Sequence, residues 1–172
     1  GYLPAVNQGS LMNIERPDSI PNIKPRTGRD HQLRHLELIE QMDGQFSTGI
    51  SERQQVDAAI ANYETAFRMQ TAVPELVDLV GESEATKKLY GMDSTDPAKA
   101  AYARQCLVAR RLVEKGVRFV ELSCIASGGG GGNAANPWDQ HSKIKEGHGK
   151  MAYQVDQPIA GLIKDLKARG LL

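Results

Sequence analysis

Apolar positions recur at helical spacing along most of this 172-residue chain, and alternate at strand spacing in only one short run. Residues 28–42 carry Leu33, Leu36, Ile39 and Met42 on one side and read as a helix. The clearest helix spans 52–70. Ser51 and Gln54 form a capping-box pattern ahead of Val56, Ile60, Tyr63 and Phe67, with Ala59 and Ala66 beside them. Pro74 breaks or restarts it, with a short turn of helix at 75–80 and another short helix at 82–90 that ends at Gly91. Asp96-Pro97 supplies an N-cap and a first-turn proline for a helix over 97–115, whose face holds Tyr102, Cys106, Ala109 and Val113. Gly116 stops it.

The run Val117-Arg118-Phe119-Val120-Glu121-Leu122 then predicts a strand. A helix that ends in glycine and feeds at once into a β-branched strand is half of an α/β unit. A last helix covers 149–169, with Val155, Ile159, Leu162, Ile163 and Leu166 inward. Pro158 kinks it or marks its true start, Asp156 caps it, and Gly170 ends it. The expected packing sets helices 97–115 and 149–169 on strand 117–122, burying Val113, Phe119, Ile159 and Ile163. One strand cannot satisfy its own hydrogen bonds. Helices that expect a sheet, with almost no sheet supplied, suggest a piece of a larger α/β protein. Residues 1–26, with Pro4, Pro17, Pro21 and Pro25, read as extended coil.

Charge removes some functions. Lys plus Arg and Asp plus Glu both number 21, so no electrostatic case arises for nucleic acid or an anionic membrane. No apolar run approaches the roughly 20 residues that span a bilayer, and no signal peptide is visible. Cys106 and Cys124 read as buried thiols rather than a disulfide framework. Gly128 to Gly132 sit in a polar loop over 125–148 and match no phosphate-binding loop, because no Gly-Lys-Ser/Thr follows.

The candidate chemistry lies in Trp138-Asp139-Gln140-His141. A carboxylate and an imidazole two residues apart can turn toward one cation, an ordinary mixed ligand set for zinc, manganese or iron. The alternative is a turn capped by Asp139 beside a solvated His141. His148, near the last helix start, is a third ligand or substrate contact, or a solvated histidine. Trp138 reads as a packing anchor for the loop, with a substrate platform as the alternative. His31 and His35, spaced i, i+4, lack the glutamate of a zincin pattern and read as a solvated face. Glu82, Ser83 and Glu84 are explained by a helix start, with no base to make Ser83 a nucleophile.

Several phrases together resemble a bacterial family. They are Tyr63-Glu64-Thr65-Ala66-Phe67-Arg68-Met69-Gln70, Gly81-Glu82-Ser83-Glu84-Ala85-Thr86, Leu89-Tyr90-Gly91, Arg104 through Val113, Gly116 through Val120, Trp138 through His141, and Val155 through Leu172. In this order they resemble the sulfatase-like domain-of-unknown-function family fifteen-oh-one, well over 63–172 and more loosely before. The resemblance implies kinship with the alkaline phosphatase and sulfatase superfamily. It also implies a partial α/β core with one clear strand, the metal site lying outside the strand ends. Asp139 and His141 would then hold one divalent metal of a hydrolase of phosphate or sulfate esters, with a small-molecule or glycan ester as substrate. The resemblance is compatible with an extracytoplasmic location. It places the superfamily nucleophile before this chain and a Glu-Phe-Gly-Arg motif after Leu172, so the chain alone would be inactive. The other reading is a non-catalytic helical binding or scaffold module.

Overall fold

A computed structural model describes residues 9–15, 28–46, 60, 64, 67, 69–70, 72–124, 138–139 and 141–172. The chain divides into two compact units, Gly1–Val77 and Asp78–Leu172. In the first, helix α1 runs Arg29–Phe46. Leu33 and Met42 on its expected apolar face are exposed. The Arg29 guanidinium sits 5.2 Å from the centre of the Phe67 ring. Positions 60, 64, 67, 69–70 and 72–77 are helical, and the rest of the expected 52–70 helix lies outside the described residues. So does most of the coil expected at 1–26.

The second unit holds three helices, α2 (Glu84–Tyr90), α3 (Pro97–Glu114) and α4 (Ile144–Ala168), each in contact with the other two. Their ends follow local chemistry. Ser83 caps α2 by accepting from the Thr86 amide at 3.0 Å, and Gly91 closes it in the left-handed region with φ +84°. Asp96 Oδ1 accepts from the Ala98 amide at 2.9 Å, and Pro97 follows at the first turn of α3. Helix α4 begins at Ile144, earlier than Pro158 suggested, and runs through both Asp156 and Pro158. Asp156 is therefore an exposed mid-helix residue and not a cap.

The α/β expectation is overturned. Among the described residues there is no strand, and 117–124 forms neither helix nor strand. Strand identity resides in pairing, and β-branched composition alone supplies none. Phe119 is 82% exposed, and Ile163 and Ile159 are also exposed. Val113 is only half-buried.

What the helices bury instead is visible on α4. Its buried residues are Met151, Gln154, Pro158, Gly161 and Asp165, a mixed stripe of apolar, small and polar residues beside the most apolar one. The small residue decides the face. A Cβ on Gly161 would lie 2.8 Å from the Leu89 carbonyl oxygen of α2. Gln157 adds a bond from Nε2 to the Lys88 carbonyl at 2.9 Å. On α3 the buried set includes Tyr102, Ala103, Cys106, Leu107, Val108 and Ala109, close to the expected face.

Where the three helices meet lies Arg110, 4% exposed in its side chain. Its Nη1 donates to Glu114 Oε2 at 2.7 Å. Its Nη2 and Nε stand 2.6 Å from Glu82 Oε2 and 3.3 Å from Asp165 Oδ2, close ion pairs without hydrogen-bond alignment. Arg169 bridges Asp165 and Glu114, each at 2.7 Å. Tyr90 donates to Asp165 Oδ2 at 2.9 Å. Arg111 stands 3.8 Å from Glu82 and also donates to the Asp78 carbonyl. Burial pushes the Arg110 value down, but Glu82 and Glu114 outweigh it and hold the guanidinium above its ordinary range. Burial likewise opposes ionisation of Asp165, yet Arg169, Tyr90 and Arg110 hold its carboxyl below the usual range.

Two outcomes follow from this packing. Gly161→Ala should destabilise by about 1–3 kcal/mol, whereas Gly149→Ala, on the exposed side of the same helix with nothing near its Cβ, should stabilise by up to ~1 kcal/mol. Equal shifts in urea midpoints would contradict the close α2–α4 approach. Arg110→Ala should cost about 3–5 kcal/mol by stranding buried carboxylates. Asp165 binds fewer protons folded than unfolded. Its contribution is complete above the unfolded value near 3.9 and is lost as pH falls through the lower folded value. Asp165→Asn should accordingly flatten the acid limb of stability against pH, as measured by chemical denaturation from pH 7 down to about 3.

Candidate functional site

The segment before α4 carries the candidate residues. Lys143 occupies the left-handed region with φ 51° and gives α4 no side-chain cap. The preceding turn presents Asp139 and His141 together, with Asp139 Oδ1 and His141 Nε2 3.3 Å apart. Their side chains are 63% and 87% exposed. Two donors each about 2.0–2.1 Å from a tetrahedral zinc ion lie roughly 3.3–3.4 Å from one another, so the pair fits the edge of one coordination tetrahedron. The carboxylate and the imidazole therefore stand within ion-pair distance of each other. No group of three or more His, Cys, Asp or Glu suited to a metal ion occurs among the described residues.

His148 does not join the pair in this arrangement. Its Nε2 lies 3.1 Å from the Trp138 carbonyl oxygen. A carbonyl only accepts, so that nitrogen carries the proton and donates. The His148 and Trp138 rings also lie 6.2 Å apart, tilted by 30°. Trp138 Nε1 donates to Cys124 Sγ at 2.9 Å, and Gln154 Nε2 donates to the Cys124 carbonyl at 3.0 Å. Trp138 is thus held by Cys124 and His148. Sequence reasoning did not find its partners Cys124 and His148, nor the Gln154 bond that holds the Cys124 carbonyl.

Alongside, Lys143, Lys145, Glu146, Lys150, Tyr153 and Asp96 line an open groove of about 800 Å³ at the start of α4. The Lys99 ammonium stands 4.2 Å from the centre of the Tyr153 ring.

The remaining sequence candidates resolve into structural roles. Ser83 caps α2, Glu84 pairs with Lys87 at 2.8 Å, and Glu82 pairs with Arg110. The His31 and His35 rings stand edge to face at 6.1 Å on an exposed side of α1. Cys106 is fully buried, and burial pushes its thiol up to about 12, so it is inert near neutrality. Tyr102 is likewise pushed up to about 12, first by burial and then by Cys106 and Cys124. Both cysteines are free. Gly128 to Gly132 lie outside the described residues, and no helix among the described residues is long and apolar enough to cross a membrane.

The family model described as "Protein of unknown function (DUF1501)" matches residues 1–172. No curated protein and no solved structure matches the chain.

Proposed function

This chain belongs to the DUF1501 family, and we propose that within it the Asp139–His141 turn is part of the metal centre of a hydrolase of phosphate or sulfate esters. The observation that carries the reading is the 3.3 Å approach of one carboxylate oxygen and one imidazole nitrogen on an exposed turn. That spacing suits a shared cation, and both side chains are open to one. The kinship with sulfatases suggested by the sequence motifs supplies the reaction class. A groove beginning two residues beyond His141 sets Lys143, Lys145 and Lys150 against Asp96 and Glu146, with Lys150 paired to Glu146, and the excess of one positive charge favours an anionic ester.

A divalent cation such as zinc or manganese, when bound, would polarise an ester oxygen as a Lewis acid. Asp139 would contribute a hard oxygen donor and His141 a neutral nitrogen donor. Because the described residues offer the ion two ligands where catalytic zinc takes three, binding by this chain should be weak. The second reading, a non-catalytic helical binding or scaffold module, is favoured by regular elements that are all helices among the described residues and by the absence of a third ligand there.

Asp139→Ala and His141→Ala should each abolish saturable zinc uptake in a calorimetric titration, while thermal stability stays within ~0.5 kcal/mol, because both side chains are exposed. Unchanged uptake in both variants would end the ligand assignment. The same chain, assayed with aryl phosphate and aryl sulfate in the presence of zinc or manganese, should show no turnover, since no nucleophile is assigned to it. Metal-dependent turnover would overturn that expectation.

A further inference from the structure

We infer that Cys124, Trp138 and His148 form a clamp that positions the Asp139–His141 pair, with His148 acting through the Trp138 carbonyl and not as a ligand. The inference deepens the metal reading and rests on it. Asp139 and His141 meet each other, but their side chains are 63% and 87% exposed. Their placement must come from the backbone that precedes them, and that backbone is Trp138.

Contacts with Cys124 and His148 hold Trp138 in place. Its indole Nε1 donates to Cys124 Sγ at 2.9 Å, and its carbonyl accepts from His148 Nε2 at 3.1 Å. Its ring lies 6.2 Å from the His148 ring. Both partners trace back to one rigid element. His148 is a residue of α4, and the Cys124 carbonyl is held at 3.0 Å by Gln154, a buried residue of the same helix. The anchoring path therefore runs from the buried face of α4 through residues 124 and 148 to Trp138, and from there into Asp139. A two-donor site loses much of its affinity if the donors must be ordered on binding, and groups that orient ligands recover it. His148 forms no group of three ligand-type side chains with the pair.

Trp138 is the one tryptophan of this sequence, so its fluorescence reads the clamp without metal. The test uses His148→Ala, His148→Gln, Cys124→Ala and Cys124→Ser. Acrylamide quenching of Trp138 is measured in the absence of metal, and zinc binding by calorimetry. A glutamine amide can place a donor where Nε2 stood, and a serine hydroxyl keeps an acceptor at position 124. His148→Ala and Cys124→Ala should raise the quenching constant and weaken zinc binding about tenfold. His148→Gln and Cys124→Ser should stay near the parent chain in both measurements. Unchanged quenching and unchanged zinc affinity in His148→Ala would overturn the clamp. Zinc binding lost in both His148 variants with quenching unchanged would also overturn it, because His148 would then be a ligand. If the parent chain binds no zinc, the ligand pair fails separately and quenching alone decides the clamp. A rise in His148→Ala supports it, and no change overturns it.

Discussion

A single buried guanidinium organises the second unit. Arg110 arises from α3, yet the groups around it come from every side: Glu82 ahead of α2, Glu114 on its own helix, and Asp165 on α4. Arg169 and Arg111 join the ring, so three cations face three carboxylates. A buried charge stripped of such partners would cost several kcal/mol. The network therefore constrains the register of the helices more than it adds to their stability. A slip of any helix by one turn would strand a charge. Tyr90 belongs to the same constraint. Burial and the adjacent Asp165 hold its phenol above its ordinary range, so it remains a donor.

This polar constraint explains why α4 buries the face it does. To bring Asp165 to Arg110, the helix must turn the stripe of Met151, Gln154, Pro158 and Gly161 inward. Gly161 permits that contact, since its missing Cβ leaves room for the Leu89 carbonyl. Ile159 and Ile163, on the neighbouring stripe, are left exposed. Apolar periodicity reports the most hydrophobic face of a helix. The face actually buried depends also on how close two backbones can come and where a charge must go.

The same helix carries order outward to the candidate site. Its start follows the Asp139–His141 turn, and His148 and Gln154 reach back to Trp138 and Cys124. The site is thus a surface turn with a rigid support beneath it. Asp139 and His141 were legible in the sequence because a carboxylate and an imidazole two residues apart need only one turn to meet. The support was not legible. Cys124 and Trp138 are separated by fourteen positions, Cys124 and Gln154 by thirty. No local pattern encodes such pairings.

Sequence alone determined the features that short-range chemistry controls. Ser83 and Asp96 start α2 and α3, and Gly91 and Gly116 end them, because caps and left-handed residues act within a turn. The helical character of α1 and α3 and the meeting of Asp139 with His141 belong to the same class. Only the tertiary structure decided the rest. Val117 through Leu122 has the composition of a strand but pairs with no other strand among the described residues, so the strand does not form. Glu82, Arg110 and Asp165 look like ordinary surface charges when read one at a time. They become a buried network only when three helices bring them together, because the cost of removing a charge from water is set by what surrounds it.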